Sequence, residues 1–236
     1  MTENSLSIVR SDGTQFTVEE VAGLTVSFAG HGSTVEIGEG SVFHNCKLFI
    51  GNEGRVQIGT THPRGIRNST INMGGKSVGK ALTIGADTSI ESCRFAMANE
   101  VGEEIIIGKG CMLSSNITFR TSDGHSIYDM TSKRLVNRTR PITVGDNVWI
   151  GSGATLTKGS RVPSNTVIAT MALVSRRFEE ENTAIGGNPA QVLKRNIGWS
   201  RTYVPKYIEP LPEDEPSQLE AVGASRWRRL ELFRRR

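Results

Sequence analysis

From Val144 onward an aliphatic residue returns every six positions, as Val144, Ile150, Leu156, Val162, Ile168 and Val174. Four places after each of the first five stands a mostly small residue: Val148, Ala154, Ser160, Thr166 and Ala172. A period of six fits neither a helix, which repeats near 3.6, nor a simple strand, which repeats at 2. It fits a triangular coil. Each flat side takes one hexad and points one aliphatic side chain inward, and small residues fill the corners where the interior narrows. Three hexads make one turn of about 18 residues, and each turn covers the core of its neighbour through short parallel strands about 4.8 Å apart.

An aliphatic residue followed by glycine marks the same architecture upstream, at Ile37-Gly38, Ile58-Gly59, Ile84-Gly85, Ile107-Gly108 and Val144-Gly145. The separations of 21, 26, 23 and 37 residues each equal one turn plus an excursion. The coil is therefore expected from about Leu24 to Ala190, with loops at its corners and the largest protrusion at about 119–141. Long loops on a rigid scaffold are where chemistry tends to sit. Residues 1–23 are expected to add a strand or two. Residues 191–236 form a C-terminal extension, with a linker rich in proline (Pro205, Pro210, Pro212, Pro216) and a short final helix within Ser217–Arg236. The expected class is all-β.

Composition narrows the function. The net charge is +4, with basic residues gathered at Arg228, Arg229 and Arg234–Arg236, so the body of the chain makes no case for nucleic acid. The basic tail suits either contact with an anionic polymer or membrane surface, or packing on the protein itself. Cys46, Cys93 and Cys111 are odd in number and widely spaced, arguing against a disulfide framework or a zinc site and for buried thiols in a reducing compartment. No apolar run reaches about 18 residues, and Met1–Val9 lacks the pattern of a signal peptide, so the expected location is cytoplasmic.

The hexads, the segment Ser122-Asp123-Gly124-His125-Ser126-Ile127-Tyr128-Asp129, the run Asn147-Val148-Trp149-Ile150-Gly151 and the Gly-Asn-Pro-Ala at 187–190 together resemble the hexapeptide-repeat acyltransferases. Within these, the His125 segment resembles the O-acetyltransferases of bacterial capsules and other surface polysaccharides, including those acting on polysialic acid. The galactoside and maltose acetyltransferases are more distant. The resemblance implies a left-handed coil, a homotrimer with active sites shared between subunits, and acetyl-CoA as co-substrate with no metal. It also implies a carbohydrate acceptor, with polymeric and anionic glycans in range. The loop histidine and a tryptophan 24 positions later belong to the same pattern, here His125 and Trp149.

Transfer to a hydroxyl needs a base, an oxyanion donor and a placed thioester. His125 is the candidate base, and Asp123, Asp129 or a backbone carbonyl could orient its ring. Trp149, expected to point outward beside Ile150, is the candidate wall for the acetyl-pantetheine arm and acceptor. By resemblance the oxyanion donor is a backbone N–H at Gly151 or Ser152. For the CoA phosphates, the resemblance points to Ser175, Arg176 and Lys194, and Lys158 is a further cation. Glu179-Glu180-Glu181 departs from the family pattern there. No serine or cysteine has a recognisable partnering base, so direct attack is expected rather than an acyl-enzyme. Three readings compete: transfer to an amine of an amino sugar or sugar nucleotide, a non-catalytic scaffold, and the carbonic anhydrase branch of this fold. The last is disfavoured because His31, His44, His62 and His125 include no close pair.

Overall fold

The computed structural model describes residues 3–206 apart from Ser77 and Ala98. The helix expected within Ser217–Arg236 and most of the proline-rich linker lie outside the described residues. Two units are distinguished, 1–199 and 200–236. In the second, Val204–Lys206 form one 3₁₀ turn where an extended linker was expected. Among the described residues no helix is long and apolar enough to cross a membrane.

The first unit is a three-sided coil. Its strands fall into sheets of eight, eight and seven, and apart from the antiparallel pair at each end, chain-adjacent strands lie in different sheets. In the first face, Ile8, Ile37, Ile58, Ile84, Ile107, Val144 and Val162 stand in register across successive parallel strands. The aliphatic–glycine phrases read from the sequence are thus successive rungs of one column. The second face stacks Phe43, Ile66, Ile90, Leu113, Ile150, Ile168 and Ile185. The third stacks Leu48, Ile71, Phe95, Phe119, Leu156 and Val174. Within it the Phe95 and Phe119 rings lie 5.1 Å apart at 11°.

All six hexad aliphatics from Val144 to Val174 are at most 2% exposed, and the five small residues at most 1%. Removing one such side chain, as in Leu156→Ala, costs roughly 2–5 kcal/mol because a stacked rung cannot collapse freely onto the gap. The glycines after the aliphatics answer to the stacking itself. A Cβ on Gly85 or Gly145 would come within 2.5 Å of the backbone of the next coil. At other corners the chain enters the left-handed region on asparagine, as at Asn45, Asn68, Asn147 and Asn165.

Both ends are closed by antiparallel pairs. Ser5–Val9 joins the first face beside Thr34–Gly38 and pairs with Gln15–Thr17. Thr183–Gly187 pairs with Ala190–Arg195, with the Gly-Asn-Pro-Ala cluster making the turn. The architecture is the all-β, left-handed parallel β-helix that the hexads and the resemblance lead one to expect.

Candidate active site

Among the described residues six connections pass from the third face to the first at one corner: residues 29–33, 51–54, 74–80, 97–103, 121–141 and 158–160. They stack as the coils stack. The excursion bearing His125 therefore has a loop beneath it and a short corner above it, and both grip it. From below, buried Glu103 accepts a hydrogen bond from the Thr121 hydroxyl at 2.9 Å, and Glu100 accepts the Thr139 N–H at 2.9 Å. The Thr139 hydroxyl donates to the Thr121 carbonyl at 2.8 Å, closing the two feet of the excursion on each other. Lys80, one coil further down, is buried beside Glu103 and donates to the carbonyls of Met73 and Gly74. Burial pushes the Glu103 carboxyl up, against the pull of its hydrogen bonds and of Lys80, and pushes the Lys80 ammonium down, against the pull of Glu103.

Beyond its feet the excursion is a hairpin. Ile127 and Val136 pair through the Val136 N–H (2.9 Å), and Asp129 accepts from the N–H groups of Thr131 and Ser132 at the tip. These bonds lower the Asp129 pKa, so this carboxylate is committed to its own turn. Ile127, Tyr128, Met130 and Val136 stand exposed along the hairpin. His125 is exposed near its base, and among the described residues its imidazole makes no hydrogen bond. Asp123 faces away from that role. Its carboxylate takes the Lys158 ammonium and the Asn137 amide, which hold its pKa below the usual carboxylate range.

Trp149 stands on the outer face of the second sheet, 37% exposed, while Ile150 is fully buried. Its indole N–H reaches the Ser114 hydroxyl at 3.3 Å. The ring of Trp199 lies 6.2 Å away at 45°, held by its own N–H to the Asn147 carbonyl at 2.7 Å. Trp199 was not singled out from the sequence, where it sits beyond the repeat with no motif to mark it. The second face is the side of the triangle opposite the corner from which the 121–141 excursion leaves. Among the described residues no hydrogen bond or ring contact links His125 to Trp149, so one chain does not bring them together.

The two oxyanion candidates differ. The Gly151 N–H is spent on the Ile168 carbonyl at 2.8 Å, as part of the ladder between coils. Ser152 is exposed at the corner, and among the described residues its N–H has no acceptor. The cations also separate. Lys194 is exposed and falls in the cross-strand row of Trp149, Val167 and Ala184, about 14 Å from the tryptophan at three strand spacings. Ser175 and exposed Arg176 lie at the corner after the third face, with the Arg176 guanidinium 5.0 Å over the Phe178 ring. The acidic run neutralises other arginines: Glu179 pairs with Arg161 and Arg177, and Glu180 with Arg195. Lys158, expected as a phosphate cation, is turned inward instead, with its side chain 14% exposed and its ammonium on Asp123 and the Asn137 carbonyl.

No protein-family model matches the chain. The polysialic acid O-acetyltransferase of Neisseria meningitidis is 30% identical over 191 residues, which cover 73% of this chain and 87% of that protein. A polysialic acid O-acetyltransferase of Escherichia coli O1:K1 / APEC is 34% identical over 125 residues, 53% of this chain, and the match spans only 38% of that protein's length. The galactoside O-acetyltransferase of Escherichia coli K12 is 29% identical over 90 residues, 38% of this chain and 43% of that one. Among solved structures, the polySia-specific acetyltransferase NeuO superposes with a TM-score of 0.61 at 23% identity, over 87% of this chain and 92% of that one, a likeness of fold. With the three-sided coil in place and one relative matched along most of its length, the chain belongs to the hexapeptide-repeat acetyltransferase family.

Proposed function

We propose that the chain moves an acetyl group from acetyl-CoA to a sugar hydroxyl of a capsular or other surface polysaccharide, with His125 as general base. Sialic-acid-containing polymers are the first acceptors to test, because two relatives carry polysialic acid in their names. The observation that carries the reading is a division of parts. An exposed imidazole stands on a loop anchored at one corner, while an exposed indole stands on the opposite face with an open amide at Ser152 nearby in sequence. Such a chain completes a site by apposing the loop of one copy to the second face of another, which favours a homotrimer with three shared clefts.

In such a cleft, His125 accepts the proton of the sugar hydroxyl as its oxygen attacks the thioester carbon. The Ser152 N–H is the donor for the oxyanion, since that of Gly151 is occupied. Collapse of the tetrahedral species breaks the C–S bond, and the thiolate takes the proton back from the imidazolium, leaving the acetyl ester and free CoA. Trp149 walls the pantetheine arm, and Lys194, on the same face, meets the phosphates. Ser175 and Arg176, at the corner from which the His125 loop also leaves, serve the donor from the loop side of the cleft. Three buried cysteines, none of them in a disulfide, suit a reducing, cytoplasmic setting.

The test is incubation of acetyl-CoA with a panel of sialylated, neutral and amino-sugar acceptors, read by mass. Ester formation on hydroxyl acceptors is expected, and His125→Ala should lower it at least about 100-fold with the oligomer intact. Unchanged turnover in His125→Ala overturns the base assignment. Transfer confined to amines overturns the acceptor. A monomer by light scattering that remains active overturns the shared cleft.

A further inference from the structure

We propose that Asn137, locked by Lys158 and Asp123, is the positioning residue that sets the backbone of His125. The proposal rests on the reading of His125 as the base. Asn137 is 9% exposed, in an excursion whose other residues from 123 to 134 are all exposed. Its side-chain nitrogen donates to the His125 carbonyl at 2.7 Å and to Asp123 Oδ2 at 2.9 Å, and its side-chain oxygen accepts the Ile127 N–H at 2.8 Å. A carbonyl can only accept and an N–H can only donate, so this network admits one orientation of the amide. The two peptide units that follow His125 are thereby pinned by a single side chain.

Asn137 is held in turn. Lys158, from the corner directly above, donates to the Asn137 carbonyl at 2.8 Å and pairs with the Asp123 carboxylate. On the other flank, the Arg120 guanidinium donates to the carbonyls of Ser122 (2.9 Å) and Asp123 (3.0 Å). The segment 122–127 is thus fixed from both sides while the imidazole itself projects free. A base that must reach a hydroxyl held by another group depends on such fixing, since displacement of about 1 Å can cost on the order of 100-fold in rate. The ammonium of Lys158, committed to these partners, is not available as a phosphate ligand.

Steady-state kinetics and hydrogen exchange on full-length Asn137→Ala and Lys158→Met test this. The expected result is a kcat lowered roughly 10- to 100-fold with KM for acetyl-CoA within about twofold of the wild type. Amide exchange should quicken across 122–137, most at Ile127, and stay unchanged in the coil strands. Should Asn137→Ala lose the fold, Lys158→Met and Asn137→Ser carry the same comparison. A raised KM for acetyl-CoA with unchanged kcat in Lys158→Met would overturn the proposal in favour of a donor-phosphate role. Unchanged kcat and unchanged Ile127 exchange in Asn137→Ala would overturn it outright. The exchange arm needs no turnover, so an active His125→Ala enzyme would sink the base assignment alone, and exchange would still decide how the segment is held.

Discussion

Replacing Glu103 by alanine should be among the most damaging single changes outside the aliphatic columns. Glu103 is fully buried, and Lys80 beside it is 1% exposed. Both groups pay for leaving water: burial is the largest influence on each, raising the carboxyl pKa and lowering that of the ammonium. In Glu103→Ala the Thr121 hydroxyl keeps a second acceptor, the Ala96 carbonyl at 3.1 Å. The Asn99 N–H loses the carboxylate oxygen it meets at 3.2 Å, and Lys80 loses its countercharge. Leaving the Asn99 N–H without its acceptor and the buried ammonium without a neighbouring carboxylate should cost on the order of 1–3 kcal/mol.

The assay is equilibrium denaturation of Glu103→Ala, Lys80→Met and the double variant, with the denaturant slope checked for constancy. The double variant should recover at least about 1 kcal/mol relative to the sum of the singles, since the lone ammonium is then gone. The pH dependence has a definite sign. A carboxyl raised in the folded state binds a proton there that the unfolded chain has released. Its contribution to stability therefore falls as pH rises from the ordinary carboxylate value through the raised one, and Glu103→Gln should remove that slope. A Glu103→Ala chain within about 0.5 kcal/mol of wild type, or singles that simply add, would refute the coupling.

Ser160 occupies one of the small-residue corner positions with a buried hydroxyl that has no partner, so Ser160→Ala should be neutral or stabilise the fold by up to about 1 kcal/mol in the same denaturation assay. For Asp123, the Lys158 contact and then the Asn137 amide lower the folded pKa below 3.8. Its hold on the loop is therefore present above pH about 4 and lost as pH falls through the lowered value, so protease cutting within 121–137 should rise only in that acid window and become pH-independent in Asp123→Asn. A midpoint well above pH 4 would point to another group.

The coil was legible because its core asks for one aliphatic residue per hexad, and Val144 to Val174 meet that demand without interruption. The excess over 18 residues between the aliphatic–glycine phrases gave the size of each excursion. It could not assign them to corners, because counting along the chain does not say which side of the triangle a loop leaves. That assignment is what separates His125 from Trp149 within one chain. Gly151 was within reach of the sequence. It follows an inward aliphatic as Gly85, Gly108 and Gly145 do, and each of these donates its N–H to the next coil at 2.8–2.9 Å. Its amide was therefore committed to the ladder by the same repeat that revealed the fold.

Lys158 and Asn137 were different in kind. Their meeting with Asp123 joins residues 21 and 35 positions apart across an irregular loop, and no periodicity reports it. A lysine between two hexads looks like a surface cation until the excursion is seen folded beneath it. Residue type marked the group that projects, His125, whereas the groups that aim it became visible only once the corners were stacked. It follows that variants of this excursion should sort by which side of that division they touch: losses at His125 remove proton transfer, and losses at Asn137 or Lys158 misdirect a base that is still present.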